Sequence, residues 1–398
     1  MIVGAPTPLA EVPVPTAGGE IAQLALREPV PWQRPSAPAS SRAAIAAAHV
    51  VAQPFVSSGG DGPALDWDAT LAARHRLWSW GLGVAEAMDT AQRGGALTMS
   101  LALELVRRSA REAASVGGRI VAGVATDALP ASGEVTIADV TRAYAEQLDA
   151  VVDAGAEPVL MASRQLCAVA RGAEDYLEVY DRVLTEAGAP VLLHWLGEAF
   201  DPALAGYWGD ADPWAAAETV MELVQRHPGR IEGIKLSVLD DDLEISLRRR
   251  LPAGVRLYTG DDWHYPDLIR GDAEGYSHAL LGVFDAVAPA AATALTALDA
   301  GDTEQFDSVL GSTLELGRTL FERPTSCYKT GIVFLAWLNG EQEHFRMLGG
   351  MESARSVEHL GRVLCGANDA GLLLDPELAA RRWTALLTTA GLTTGGLA

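Results

Sequence analysis

The sequence predicts an α/β chain: a (β/α)8 TIM barrel followed by a C-terminal helical extension. Two observations carry this. Eight apolar runs of strand length alternate with amphipathic stretches of helical length between about residue 44 and residue 289. After Pro289 every segment has helical character. Strands that alternate with helices form parallel βαβ units, and eight such units close a barrel.

The elements follow in order. Residues 1–43 are rich in Pro, Ala and Gly, with Pro29, Pro31, Pro35 and Pro38 in quick succession. They read as a short extended or hairpin segment running into a linker. The strand-length runs are Ala47–Phe55, Val84–Met88, Arg119–Ala125, Pro158–Met161, Pro190–His194, Ile231–Leu236, Val255–Thr259 and Gly275–Leu280. Helical stretches between them include Ala96–Ser115, Ile137–Ala154, Ala173–Ala187 and Pro213–His227. Residues 44–289 thus form the expected catalytic barrel. Residues 290–398 form the helical domain, with Ala290–Asp299, Thr303–Phe321, Tyr328–Trp337, Ser353–Ala370 and Pro376–Thr389 as its helices.

Composition narrows the function classes. The formal net charge is −22. No basic stripe is available to neutralise phosphates, so nucleic acid is not an expected partner, nor is an anionic membrane surface. No apolar run reaches membrane-spanning length, and the N-terminus lacks the basic region of a secretory signal. The three cysteines, Cys167, Cys327 and Cys365, are far apart and odd in number, a reducing-compartment pattern without zinc spacing. A cytoplasmic enzyme is expected.

The lysines are the sharpest chemical signal. The chain has two, Lys235 and Lys329, against 28 arginines. Arg supplies surface charge equally well but stays protonated. Lys can lose its proton when buried and attack a carbonyl. Lys235 ends the run Ile231-Glu232-Gly233-Ile234-Lys235-Leu236-Ser237, at the strand end where barrel enzymes carry their chemistry. The alternative is a lysine snorkelling from a strand end.

With these segments placed, the chain resembles the dihydrodipicolinate synthase/N-acetylneuraminate lyase family of class I aldolases, as an actinobacterial branch. The resemblance spans about residues 47–374. It rests on Val50-Val51-Ala52-Gln53-Pro54-Phe55, Gly118–Val124, Gly188–Leu193, Gly233-Ile234-Lys235-Leu236-Ser237, Tyr258-Thr259-Gly260-Asp261-Asp262 with Gly275-Tyr276-Ser277, and Pro324–Gly331 with Lys329. It implies a Schiff base on Lys235, no cofactor, no metal, and a homodimer or homotetramer.

The departures bear on substrate. The place of the family's proton-relaying tyrosine falls on His194, and imidazole near pH 7 can do the same work. The family's carboxylate-gripping loop reads Met88-Asp89-Thr90-Ala91-Gln92-Arg93-Gly94 here; only Thr90 survives, and Asp89 would repel a carboxylate. The arginine after the family tyrosine has no counterpart in Gly197-Glu198-Ala199-Phe200-Asp201. The expected partner is therefore a small-molecule carbonyl compound other than pyruvate: a keto-sugar, a cyclitol or a related polyhydroxylated compound. Lys235, His194 and Thr90 are the expected catalytic residues. Asp89, Arg93, Arg164, Glu198, Asp261, His264 and Ser277 are expected to bind substrate. Trp195, Tyr207 and Trp208 suit ring stacking, and the stretch from Trp195 to Trp214 is long enough for a lid.

Two other classes stay open. A metal-dependent sugar isomerase or epimerase would use strand-end ligands such as Asp89, His194, Asp261 and His264, leaving Lys235 unexplained. A non-catalytic sugar-binding barrel would explain the lost carboxylate grip but not the retained lysine.

Overall fold

The computed structural model describes residues 10–55, 64–88, 92–93, 95–130 and 134–392. Asp89 and Thr90 lie outside the described residues. No described helix is long and apolar enough to cross a membrane.

Eight parallel strands close the barrel: β3 (Ala44–Ala47), β4 (Gly83–Glu86), β5 (Ile120–Val124), β6 (Glu157–Leu160), β7 (Val191–Leu196), β8 (Ile231–Ser237), β9 (Arg256–Thr259) and β10 (His278–Leu281), with β10 pairing back onto β3. They follow β1 (Glu11–Pro15) and β2 (Ile21–Ala25), an antiparallel hairpin. The helices between barrel strands are α1 (Trp67–Ser79), α2 (Met99–Val116), α3 (Ile137–Asp153), α4 (Arg164–Val169), α5 (Ala173–Glu186), α6 (Pro213–Arg226), α7 (Asp241–Arg250) and α8 (Tyr265–Arg270). Their starts are written locally: Asp66, Thr98, Thr136, Ser163, Asp212 and Asp240 each accept a backbone N–H of the first turn.

Two strands differ from the sequence expectation. The first was expected over Ala47–Phe55 and the eighth over Gly275–Leu280, but pairing selects Ala44–Ala47 and His278–Leu281. Both lie in longer apolar stretches, where register with neighbours decides which residues are paired.

The C-terminal part adds α9 (Ala288–Asp299), α10 (Thr303–Gly311), α11 (Leu314–Leu320), α12 (Tyr328–Leu338), α13 (Val357–Asp369) and α14 (Pro376–Thr389). The expected single helix Thr303–Phe321 breaks at Ser312-Thr313, where Thr313 turns its hydroxyl onto the Leu310 carbonyl. The N-terminal hairpin packs on this part rather than trailing as a linker. Trp383 Nε1 donates to the Pro13 carbonyl at 2.8 Å, and the Trp32 indole donates to the Gly371 carbonyl at 2.9 Å.

The core has two layers. The inner one fills the barrel with Ile45, Ala47, Ala85, Met88, Val121, Val159, Met161, Leu192, Tyr258 and Leu280. The outer one lies between strands and helices. This division fixes where the site residues point. Side chains alternate along a strand, and register partners share a face. Leu192 faces inward, so His194 does too. Tyr258 faces inward and pairs with Lys235, which pairs with His194.

Candidate active site at the barrel mouth

Lys235 and His194 are register partners on β8 and β7, inside the barrel near the ends of their strands. Lys235 is 9% exposed. Its ammonium makes no hydrogen bond or ion pair among the described residues. Burial lowers its pKa to about 8, Asp262 opposes the shift, and Lys329 adds to it. Room for the lysine comes from Gly260, the residue directly after β9. A Cβ there would sit 2.8 Å from Lys235 Cε and 2.0 Å from Ser237 Oγ.

His194 is buried, with Nε2 3.3 Å from Ser237 Oγ and Nδ1 without a partner among the described residues. Burial, and then the Lys235 charge, hold its pKa well below the usual histidine range. The imidazole is neutral at physiological pH. This corrects the expectation of a histidine near its midpoint: a solvated ring would be there, a desolvated ring beside a cation is not.

The substrate-binding expectations divide. Arg93 is taken up by structure. All five of its N–H groups are directed at protein acceptors: Asp127, Gln147, and the carbonyls of Ala87 and Gly123. It braces the ends of β4 and β5. Arg164 begins α4 and is ion-paired with Asp201, whose other oxygen accepts the Ala203 N–H. Glu198 is exposed just beyond β7. Asp261 is buried and accepts from the backbone N–H of Trp263 and His264, and binds His264 Nδ1 at 2.7 Å. Asp261 therefore orients His264, whose side chain is one-third exposed above β9. Ser277 is misplaced by the sequence reading. It precedes β10, on the side where that strand enters the barrel, and donates to Glu244 at 2.6 Å. His278 begins β10. Its Nδ1 accepts the Ala43 N–H at 3.0 Å.

The segment beyond β7 is packed down. Leu204 is buried in a turn that packs on α4, and Tyr207 and Trp208 are buried in a turn that packs on α5 and α6. The Tyr207 hydroxyl accepts the Ser163 N–H and meets the Tyr180 hydroxyl at 2.9 Å. Trp208 stacks among Tyr176, Tyr180 and Tyr207 and is unavailable to a substrate. Trp195 and Tyr207, with Trp263, line a cleft of 370 Å³. Gly197, Glu198, Val238 and Leu239, just past β7 and β8, also line it, as does Arg323 from the C-terminal part. A larger hollow of 680 Å³ lies at the opposite end of the barrel, between residues 38–44 and the C-termini of α1 and α2. It contains none of these residues.

The sequence gives Ser237 no role, and it places Asp262 with Asp261 on the catalytic face, open between a surface turn and a site role. Ser237 lies two positions from Lys235 on the same face, so strand alternation could have found it. Asp262 is buried and its Oδ1 accepts the Val283 N–H at 2.8 Å. Burial raises its carboxyl to about 7, against the pull of that N–H and of Lys235. Nothing in the pair Asp261-Asp262 distinguishes them before the turn is seen.

Lys329, the other lysine, lies on α12. It donates to the Ala47 carbonyl at the end of β3 and sits 3.4 Å from Asp285 Oδ2. Asp285 also accepts from the His49 N–H and Arg76 and binds His49 Nδ1. Burial alone would raise this carboxyl, but His49, Lys329 and Arg76 hold it far below the carboxylate range. Among the described residues no three His, Cys, Asp or Glu side chains converge as a metal site.

A family model described as "Protein of unknown function (DUF993)" matches residues 12–392. No curated protein matches the sequence. Solved structures match the fold. A dihydrodipicolinate synthase from the commensal bacterium Bacteroides thetaiotaomicron has TM-score 0.63 at 13% identity, over 83% of this chain and 99% of its own. The chloride-inhibited dihydrodipicolinate synthase from Acinetobacter baumannii complexed with pyruvate has TM-score 0.60 at 17% identity, over 84% and 100%. A prophage protein of the dihydrodipicolinic acid synthase family from E. coli K12, in complex with pyruvate, has TM-score 0.59 at 17% identity, over 88% and 99%. At these identities the likeness is one of fold.

Proposed function

We propose a function from one premise: the chain belongs to the family described as "Protein of unknown function (DUF993)", and it folds as the barrel just described. Our reading is a Schiff-base-forming lyase, an aldolase, retro-aldolase or dehydratase. Its substrate is a keto-sugar, a cyclitol or a related polyhydroxylated carbonyl compound.

The observation that carries the reading is Lys235: buried, without a hydrogen bond among the described residues, and weakened as a base by its surroundings. A lysine held this way loses its proton more readily than a solvated one and can add to a carbonyl carbon. The iminium so formed draws electrons from the neighbouring bond. His194, neutral and with a free ring nitrogen, takes the proton released next to the iminium carbon and returns it. Ser237 holds the other ring nitrogen. Thr90, assigned to orient that proton transfer, remains part of the proposal from the sequence alone.

The substrate class follows from what lies beyond the ends of β7 and β8, the strands that carry His194 and Lys235. Arg93 has no N–H to spare and Arg164 is paired with Asp201, so neither is placed to grip a carboxylate next to the reacting carbonyl. Burying such a group without donors costs several kcal/mol, on the order of what a lost buried ion pair costs. Trp195, Tyr207, Trp263 and Glu198 around the 370 Å³ cleft suit a hydroxylated ring or chain. Arg323 offers that cleft a guanidinium from the C-terminal part, where it would meet a substituent remote from the carbonyl.

The test is a panel of carbonyl compounds, pyruvate included, incubated with the protein and a hydride reductant and read by intact mass. The reading expects a stable adduct with a polyhydroxylated ketone and little with pyruvate. A pyruvate adduct forming at micromolar concentration would overturn the substrate class.

A further inference from the structure

Schiff-base formation needs a group that takes a proton from the lysine ammonium and later gives one to the departing oxygen. His194 is neutral and donates poorly as an acid, and Asp261 is engaged by three donors. Asp262 is different. It follows β9 just beyond Thr259, which pairs with Leu236 beside Lys235. It is 3% exposed. One oxygen accepts the Val283 N–H, and the other makes no hydrogen bond among the described residues. Gly260, the residue after β9, carries no side chain, and a Cβ there would meet Lys235 Cε at 2.8 Å.

We propose that Asp262 is the acid–base catalyst of iminium formation, exchanging protons with Lys235 and with the substrate oxygen. The proposal rests on the Schiff-base reading.

The steps balance. Once the Lys235 side chain closes the gap to Asp262, its ammonium gives a proton to the carboxylate, leaving a neutral amine and a carboxylic acid. The amine nitrogen bonds to the carbonyl carbon as the carbonyl π pair moves to oxygen. Asp262 protonates that oxygen and takes a proton from the new ammonium, giving the neutral carbinolamine. It then protonates the hydroxyl, the C–O bond breaks, and water leaves with the iminium and the Asp262 carboxylate behind. Of the three protons of the ammonium, one stays on the iminium nitrogen and two leave in the water.

The surroundings suit the exchange. Burial lowers the lysine to about 8 and raises the carboxyl to about 7, so either can hold the proton near neutrality. The other charged and titratable groups facing the pair have tasks of their own. Asp261 holds His264, Lys329 and Asp285 bind one another, the Tyr265 hydroxyl meets Thr313, and Glu244 accepts from Ser277.

The test uses the full chain, dihydroxyacetone as probe ketone and cyanoborohydride as trap, with the rate of mass gain at Lys235 followed from pH 6 to pH 10. Asp262→Asn should slow trapping on the order of 10²-fold. Formate should restore part of the rate to Asp262→Gly. A second readout needs no ketone: the pH midpoint for acetylation of Lys235 by acetic anhydride should fall in Asp262→Asn, because the anion that holds the proton is gone. Equal trapping rates and an unmoved midpoint would overturn the assignment of Asp262 while leaving the Schiff base standing. A wild type that traps neither dihydroxyacetone nor any other polyhydroxylated ketone would overturn both.

Discussion

The two lysines of this chain are both buried near the same end of the barrel, yet they occupy opposite kinds of site. Lys329 donates to the Ala47 carbonyl and approaches Asp285, which also gathers His49 and Arg76. Lys235 has no such partner among the described residues, only the charge of Asp262 at a distance. Rarity in the sequence marks both. It does not tell a brace from a nucleophile. Satisfaction does: a charge held by acceptors stabilises the fold, and one left without them is available for chemistry.

The comparison can be broken most directly at Lys235's neighbour. His194→Asn should keep the fold and still permit trapping of an iminium, while turnover falls by roughly 10²–10⁴-fold, the usual worth of one acid–base group. Normal turnover would make His194 a packed core residue and move the relay to His264 or Tyr207.

On the other side, Lys329→Met should cost about 3 kcal/mol in urea unfolding, since it leaves the Asp285 carboxylate buried with fewer compensating charges. A fully stable variant would mean that His49 and Arg76 suffice. If it lost trapping without losing stability, the division between brace and nucleophile would fail.

Acid should act on the fold through desolvated imidazoles. Burial, then the nearby arginines, lower His278 to about 4. Its unfolded value is near 6.5, so between about 4 and 6.5 the unfolded chain binds more protons and stability falls as pH falls. The slope is up to about 1.4 kcal/mol per pH unit. His194 acts with the same sign. His278→Gln should flatten the decline between pH 6.5 and pH 5, measured by urea midpoints. A decline as steep as wild type would place its origin elsewhere.

Ser277→Ala is the smallest change. Removing the hydroxyl that serves Glu244 should cost about 1 kcal/mol of stability and leave turnover unchanged. A loss of turnover at constant stability would return Ser277 to the substrate side.

These residues also show how far the sequence could be read. The barrel was legible because eight apolar runs alternate with helices whose starts carry Asp, Ser or Thr caps. The height of His194 opposite Lys235 was legible too, since both close strands adjacent in order. Register was not: the apolar stretch from Ala43 to Phe55 has no internal mark for the four residues that pair, and the early start given to the eighth strand misplaced Ser277. Nor could the sequence show that Arg93 is consumed. Its partners Asp127 and Gln147 lie 34 and 54 positions away, and two more are backbone carbonyls. The neutrality of His194 arises from burial beside a charge, which composition does not reveal.

The central claim is that Lys235, and not Lys329, forms a covalent bond to substrate carbon. The measurement is peptide mapping of protein reduced in the presence of a polyhydroxylated ketone, with Lys235→Ala as control. The account predicts the mass increment on the peptide containing Lys235, none on the peptide containing Lys329, and no adduct or turnover in a folded Lys235→Ala variant. An increment on Lys329, or undiminished turnover in Lys235→Ala, would contradict it.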